Sequence, residues 1–115
     1  METRCVLIKL KPNSRDRVRE WANTLNARRN EALATLRDEE VMIESAFLYG
    51  SEGGDFLVYY MKGKNLQKAQ EITKESRHAI DDYHRQFKRD TWQSVEQLEL
   101  LLDLDRITEL RGASP

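Results

Sequence analysis

The sequence predicts an α+β domain whose strands and helices follow the order β-α-β-β-α-β. Apolar residues alternate with other residues over four short segments, which is typical of strands. They recur every three or four residues over two long segments, which is typical of helices. Because the connections are short, we expect the ferredoxin-like arrangement, a four-stranded antiparallel sheet with two helices on one face.

The first strand and the first helix lie in the N-terminal third of the chain. Residues 4–10 alternate apolar and other side chains and predict a strand. Ser14 follows the break at Pro12, and its hydroxyl is expected to cap the next helix. Apolar residues from position 18 to position 36 keep helical spacing, which predicts one helix of about six turns.

The middle of the chain predicts a hairpin and a second helix. Residues 41–49 and 55–61 alternate as strands do, and the glycine-rich turn 50–54 joins them. Asn65 is then expected to cap a helix by accepting a backbone N–H. We predict that this helix continues to Phe87 as one kinked helix, with the kink or break near Ser76.

The C-terminal part predicts the fourth strand and a tail. Leu98, Leu100 and Leu102 alternate with Gln97, Glu99 and Leu101 and predict a strand, although a leucine-rich run also has high helix propensity. Residues 1–107 are assigned to one domain, since a chain of 115 residues suits a single core. Residues 108–115 have little to bury and are expected to form a flexible C-terminal tail.

Composition excludes several classes of protein. The chain has 19 Lys and Arg residues against 20 Asp and Glu residues and lacks a basic patch with interleaved aromatic residues, so nucleic acid is not expected as a partner. No apolar run approaches the roughly 18 residues of a membrane span, and no signal-peptide pattern is found. The single cysteine, Cys5, fits a reducing, cytoplasmic location.

Apolar residues on both faces of the predicted sheet indicate a dimer. Tyr59 and Tyr60, for example, point to opposite faces of one strand, and each face has further apolar neighbours. Whichever face the helices cover, the other face keeps an apolar surface, and such surfaces usually mark interaction sites. Because closed two-fold dimers are the commonest oligomers, we expect a homodimer through the sheet face.

Two segments carry a family resemblance. They are RCVLIKLKP at 4–12 and IDDYHRQFKRDTW at 80–92. They resemble a family of uncharacterised bacterial proteins close to the dimeric α/β-barrel group of ferredoxin-like proteins, and the similarity spans nearly the whole chain. The resemblance implies the fold and the dimer but no activity. The wider group includes small-molecule monooxygenases, haem-degrading enzymes and stress proteins, which share a fold and not a catalytic motif.

His84 and Asp81 form the candidate catalytic pair. They are three residues apart on a predicted helix and are therefore neighbours. A carboxylate beside an imidazole can orient a proton-transfer base, and the alternative is an ion pair at the helix edge. Glu44 lies among apolar neighbours, either as a buried acid or as the cross-strand partner of Lys9.

The candidate ligand-binding residues are Arg29, Tyr60, Tyr83 and Trp92. Arg29 falls within the apolar stripe of the first helix, where its guanidinium either binds an anion in a pocket or extends into water. The aromatic residues either line an apolar cavity or belong to the core.

Two function classes follow from these observations. The sequence has no metal-spaced cluster, nucleophile elbow, phosphate loop or dinucleotide fingerprint, so no metal and no cofactor are predicted. The first class is a small soluble homodimer that binds an apolar or anionic small molecule between helices and sheet. The alternative is a cofactor-independent enzyme, monooxygenase-like or isomerase-like, in which His84 transfers a proton.

Overall fold

The computed structural model describes residues 1–112. Four strands and five helices occupy this part of the chain. In chain order they are β1 (Glu2–Leu10), α1 (Arg15–Ala27), α2 (Arg29–Glu39), β2 (Val41–Ser51), β3 (Gly54–Gly63), α3 (Leu66–Glu75), α4 (Ala79–Thr91), β4 (Trp92–Gln97) and α5 (Arg106–Gly112).

The four strands form one antiparallel sheet in the order β2-β3-β1-β4. Strand β1 pairs with both β3 and β4, whereas β2 pairs with β3, so β2 and β4 are the edge strands. Each crossover between non-adjacent strands is made by a pair of helices, α1 with α2 and α3 with α4. The predicted α+β, ferredoxin-like fold is confirmed.

The sheet has one face under the helices and one face opposite them, here called the outer face. Under the helices, Ile8 and Leu57 are cross-strand partners and are 0% and 1% exposed. The outer face carries the intervening side chains, which include Cys5, Leu7, Phe47, Tyr49, Phe56, Val58 and Tyr60. Phe47 and Tyr49 remain 61% and 54% exposed, so the apolar outer face is uncovered in a single chain.

Both long helices of the sequence prediction are in fact pairs of helices. The first is interrupted at Arg28, whose ψ of 39° leaves the helical region. A one-residue interruption hardly changes the phase of the apolar pattern, so the pattern does not reveal it. The second is interrupted near Ser76, at the predicted position, and the interruption is a break with extended backbone at Ser76 and His78. The Ser76 hydroxyl donates to Asp81 and accepts from the His78 N–H, and such local bonds compete with helical ones.

The two predicted helix caps have different outcomes. Asn65 caps α3 as expected, because its Oδ1 accepts the Lys68 N–H at 3.0 Å. Ser14 occupies the N-cap position of α1, but its hydroxyl donates to the Lys11 carbonyl at 2.7 Å instead of accepting from the helix. The predicted position of this cap is confirmed, and the predicted bond is wrong.

The fourth strand begins and ends earlier than the predicted strand over residues 97–102, and the two share only Gln97. Strand β4 follows α4 without a connection, and Trp92 pairs with Leu10 of β1. The leucine-rich segment beyond Leu98 continues as irregular chain over residues 98–105, here called the C-terminal arm. Helix α5 then begins at Arg106 and includes the start of the predicted tail 108–115, whose last three residues lie outside the described residues.

Ion pairs hold the C-terminal arm to the outer face. Lys62, only 4% exposed, donates to Asp103 at 2.9 Å and to Asp105 at 2.8 Å. The Thr3 hydroxyl also donates to Asp103 at 2.6 Å. The N–H of Leu98 donates to the Cys5 carbonyl at 2.9 Å and extends the β1–β4 pairing by one bond. The arm therefore has a defined path.

The apolar core is divided into two clusters. The larger cluster joins α1 and α4 to the sheet and consists of Ile8, Leu10, Val18, Trp21, Leu57, Tyr59 and Phe87. The smaller cluster joins α3 to the start of β2 and consists of Val41, Leu66 and Ala69. Leu36 of α2 and Met61 pack against the smaller cluster. This division leaves room between the two clusters.

Candidate functional site

A cavity of about 400 Å³ lies between the sheet and the helices α1–α4. We call it the central cavity. Tyr59 of the larger core cluster and Leu66 and Ala69 of the smaller cluster all line it. Its charged and titratable lining residues are Arg4, Glu39, Glu44, Tyr59, Asp81, His84 and Lys88. A cavity with an apolar body and several convergent polar groups is the usual form of a small-molecule site.

His84 of α4 enters the central cavity as a neutral imidazole. The Trp21 indole N–H donates to its Nδ1 at 3.0 Å, so the ring proton is on Nε2. Burial, and next the positive charges of Lys88 and Arg85, lower the pKa of His84 from 6.5 to about 3. At neutral pH the ring is therefore a hydrogen-bond donor through Nε2 and a weak base.

Two glutamates supply acids to the same cavity. Glu39 lies at the end of α2, and its carboxyl accepts a hydrogen bond from the Thr73 hydroxyl. Burial, and next the charge of Glu44, raise the pKa of Glu39 from 4.5 to about 8. Solvent reaches Glu44 of β2 from the cavity, yet protein atoms surround its carboxyl closely enough that burial raises its pKa. The Tyr59 hydroxyl donates to Glu44 and, with the charge of Lys88, favours the carboxylate.

Lys88 and Trp92 form the wall of the cavity next to β4. The Lys88 ammonium lies 5.0 Å from the centre of the Trp92 ring, a cation–π contact. Burial lowers the pKa of Lys88, against the raising effect of Glu44 and Glu39. The indole nitrogen of Trp92 is buried and has no hydrogen-bond partner among the described residues.

The structure brings three of the six predicted site residues to the central cavity. His84, Asp81 and Trp92 all line it. The Asp81 carboxylate accepts from the Ser76 hydroxyl, while the Nδ1 of His84 accepts from Trp21, so the described hydrogen bonds of the predicted pair go to other partners.

The other three predicted residues lie elsewhere. Tyr60 points to the outer face, opposite the cavity, because its strand neighbour Tyr59 points inward. The Tyr83 hydroxyl accepts from Arg17 at 3.1 Å and donates to Thr24 at 3.2 Å, which places it between α1 and α4. Arg29 lines a second cavity, described below.

Sequence reasoning missed Glu39 and Lys88 as cavity residues. A signal for both exists in the helical spacing. Lys88 follows His84 by four residues on the inner face of α4. Glu39 follows Ala32 by seven residues and therefore shares the inner stripe of α2. The suggested pairing of Glu44 with Lys9 is wrong, since Glu44 faces the helices and Tyr59 is its hydrogen-bond partner.

A second cavity of about 590 Å³ lies beside the first, between helices α1 and α2 and the edge strand β2. We call it the lateral groove. Its apolar lining includes Ala22, Leu25, Leu33, Leu36, Ala46, Leu48 and Leu57, and its arginines are Arg19 and Arg29. Leu25, Ala32, Glu44 and Tyr59 line both cavities, so the lateral groove and the central cavity adjoin at these four residues.

Two features are absent from residues 1–112. No group of three or more His, Cys, Asp or Glu side chains in this range is arranged to hold a metal ion. No helix in this range is long and apolar enough to cross a membrane.

The fold and the site define a ferredoxin-like domain with an acid-lined cavity between sheet and helices. The chain belongs to the family of unknown function DUF6176, whose model matches residues 1–109. The predicted relation to an uncharacterised family is thereby confirmed. A search of curated protein sequences finds no match.

One similar solved structure is an L-rhamnose mutarotase from Formosa agariphila. The alignment has a TM-score of 0.65 and 18% sequence identity and covers 91% of this chain and 100% of the mutarotase chain. Identity at this level supports a shared fold, and the activity must be argued from the site.

Proposed function

We propose that this protein is a cofactor-independent isomerase of the mutarotase type, which interconverts the anomers of a small sugar in the central cavity. The observation that carries the proposal is the convergence of Glu39, Glu44, Tyr59 and neutral His84 on one cavity of about 400 Å³. That volume suits a monosaccharide, and a polar, acid-rich lining suits a substrate with many hydroxyl groups.

The chemistry requires one acid and one base on opposite sides of a hemiacetal. The base removes the proton of the anomeric hydroxyl while the acid donates a proton to the ring oxygen. The bond between the anomeric carbon and the ring oxygen then breaks, and a carbonyl forms. After rotation about the adjacent carbon–carbon bond, the reverse transfers close the ring as the other anomer, so no atom is gained or lost.

The two glutamates suit these opposite tasks. Glu39, with a pKa of about 8, is mostly protonated at neutral pH and is assigned as the acid. Burial raises the pKa of Glu44 as well, but the Tyr59 hydroxyl and the charge of Lys88 oppose that rise by favouring its carboxylate, so Glu44 is assigned as the base. The environment thus separates the roles of two residues of the same type.

His84 is assigned a binding role instead of the proton-transfer role expected from the sequence. A neutral imidazole with a pKa of about 3 is a weak base at neutral pH. Its Nε2–H can donate a hydrogen bond to a substrate oxygen and stabilise charge that develops there. Asp81 is in a position to accept from a sugar hydroxyl, since its carboxylate lines the same cavity.

The proposal is tested by measuring anomer exchange of a panel of aldoses, L-rhamnose included, by NMR magnetisation transfer. We expect exchange above the uncatalysed rate for at least one aldose. Glu39→Gln and Glu44→Gln are each expected to lower that rate by about 10²–10⁴-fold, the usual contribution of general acid–base catalysis. Glu71→Gln is the matched control, because Glu71 is exposed on α3 and lines neither cavity.

The same samples distinguish catalysis from binding alone. Saturation-transfer difference signals from an aldose whose anomers do not exchange faster would support a binding protein, the first class expected from the sequence. Neither binding nor exchange with any aldose would refute the mutarotase proposal. The oxygenase alternative has less support, because a lining of Glu39, Glu44 and Asp81 favours a polar substrate.

We also propose that the protein is a homodimer whose sheets pack through their outer faces. Phe47 and Tyr49 are more than half exposed on that face, and Leu101 and Leu104 of the C-terminal arm are each 84% exposed. Burying large apolar side chains contributes about 1.5–3 kcal/mol each. A second copy of the same face provides a matching apolar surface.

A further inference from the structure

The lateral groove has features of a binding site that the proposed reaction does not use. The helices leave the inner side of β2 partly uncovered, so that Glu44 and Ala46 are exposed there although they face the helix layer. Leucines 25, 33, 36 and 48 provide an apolar lining. Leu33 is 37% exposed, so part of this apolar surface contacts water.

Two arginines give the lateral groove a positive charge. Arg19 of α1 and Arg29 at the start of α2 both line it. Arg29 makes no hydrogen bond or ion pair with any side chain in the described part of the chain. A free guanidinium beside apolar surface is well suited to a carboxylate, because its planar donors match the two oxygens.

We propose that the lateral groove binds a small organic anion with an apolar chain, whose carboxylate pairs with Arg29 and whose chain lies on Leu33, Leu36 and Leu48. The charge of the groove favours this ligand over a neutral apolar one. The carboxylate lies at the Arg29 end, away from Glu44, which would repel it. Because Glu44 and Tyr59 line both cavities, the bound chain would extend toward the central cavity.

The proposal does not depend on the isomerase reaction. Glu39 lines the central cavity and is absent from the lining of the lateral groove. A Glu39→Gln variant that has lost anomer exchange is therefore expected to bind the anion as the parent does. If exchange is never found for any aldose, binding to the groove is still expected.

The experiment is titration calorimetry with three probes: octanoate, its neutral counterpart octanamide, and acetate. We expect one octanoate per chain, weaker binding of octanamide, and no measurable binding of acetate. Arg29→Gln should weaken octanoate binding about tenfold or more, as loss of one charge-assisted pair does, and leave octanamide unchanged. Arg37→Gln is the matched control, since Arg37 is exposed on the same helix outside both cavities.

A second variant tests the apolar part of the groove. Ala46→Leu adds three carbons to an exposed strand position in the groove and should weaken octanoate and octanamide alike. Ala27→Leu makes the same change at an exposed position outside both cavities and should have no effect. Absence of octanoate binding at millimolar concentration, or octanoate binding unchanged in Arg29→Gln, would overturn the proposal. Circular dichroism confirms that each variant is folded.

Discussion

The Trp21 indole N–H donates a hydrogen bond of 3.0 Å to the Nδ1 of His84 and so joins α1 to α4 above the sheet. The same indole stacks on Phe87 with ring centres 4.4 Å apart and planes inclined by 5°. The stacking fixes the indole, and the indole fixes the imidazole. The bond determines which nitrogen of His84 carries the proton and therefore what His84 offers to a ligand.

Replacement of Trp21 by phenylalanine should raise the pKa of His84. The bond from Trp21 favours the neutral imidazole, and its loss removes part of the resistance to protonation, although burial remains. NMR titration of the ring protons measures this pKa in the parent and the variant. An unchanged value would show that the bond does not control the protonation of His84.

Trp21→Phe should also lower the free energy of unfolding by more than the smaller ring alone would. Leaving the buried Nδ1 without a donor adds about 1–3 kcal/mol to the cost. Trp92→Phe is the matched control, because its indole nitrogen has no partner to lose. Urea unfolding of both variants gives the comparison, and equal losses of stability would contradict the assigned bond.

Glu39 should make the protein less stable as the pH rises toward alkaline values. Its pKa in the folded state is about 8, above its ordinary value of 4.5. The stabilisation that this difference provides is therefore fully present below pH 4.5 and is lost as the pH rises through 8. His84 has a lowered pKa and acts in the opposite direction at pH values below about 6.5, where the unfolded imidazole takes up a proton.

The range between about pH 6.5 and about pH 8.5 therefore isolates the effect of Glu39 from that of His84. Over this range the free energy of unfolding of the parent should fall as Glu39 ionises, and Glu39→Gln should remove about 1 kcal/mol of that fall. This figure is reduced because Glu39 is partly in contact with solvent. Urea unfolding at several pH values measures it. The Glu71→Gln control should show the same dependence of the free energy of unfolding on pH as the parent. If Glu39→Gln shows it too, the raised pKa of Glu39 is not its cause.

The sequence predicted the order of strands and helices because this order depends on local periodicity. It predicted a kink or break near Ser76, where α3 ends, but not the interruption at Arg28, because a single non-helical residue hardly changes the phase of the apolar pattern. The fourth strand was placed too late because Leu98, Leu100 and Leu102 have the spacing of one face of a strand, although they belong to an exposed arm.

The candidate site could be predicted only in part for a related reason. His84, Asp81 and Trp92 were found because they lie near the apolar stripe of α4 or directly after it. The acid–base pair proposed here joins the end of α2 to the first half of β2, and the periodicity of neither element alone shows that Glu39 and Glu44 face the same cavity. Tyr60 was named as a ligand-binding residue although it lies on the outer face, because alternation alone does not show which face the helices cover.

Lys62 should control the order of the C-terminal arm. Its ammonium pairs with Asp103 and Asp105, and these pairs hold the arm on the outer face. In Lys62→Gln the amide of Leu98, which donates to the Cys5 carbonyl, should exchange with deuterium faster than in the parent, because the arm beyond it is released. Lys64→Gln is the control, since Lys64 is 76% exposed and makes one contact of 4.0 Å with Glu40. Equal exchange in the two variants would show that the ion pairs do not order the arm.

A charge placed at Phe47 should dissociate the proposed homodimer. Phe47 is 61% exposed on the outer face and pairs with Val58, which lies next to Leu7, so it belongs to the continuous apolar surface that a partner would cover. Phe47→Glu would bury a charge in the dimer without a partner and leave the core unchanged, since the side chain points away from the helices. Sedimentation velocity at micromolar concentration should give a dimer for the parent and a monomer for this variant. Ala27→Glu introduces the same charge at an exposed position on α1 and should remain dimeric. A monomeric parent would refute the dimer, and a dimeric Phe47→Glu would show that the two copies meet through another surface.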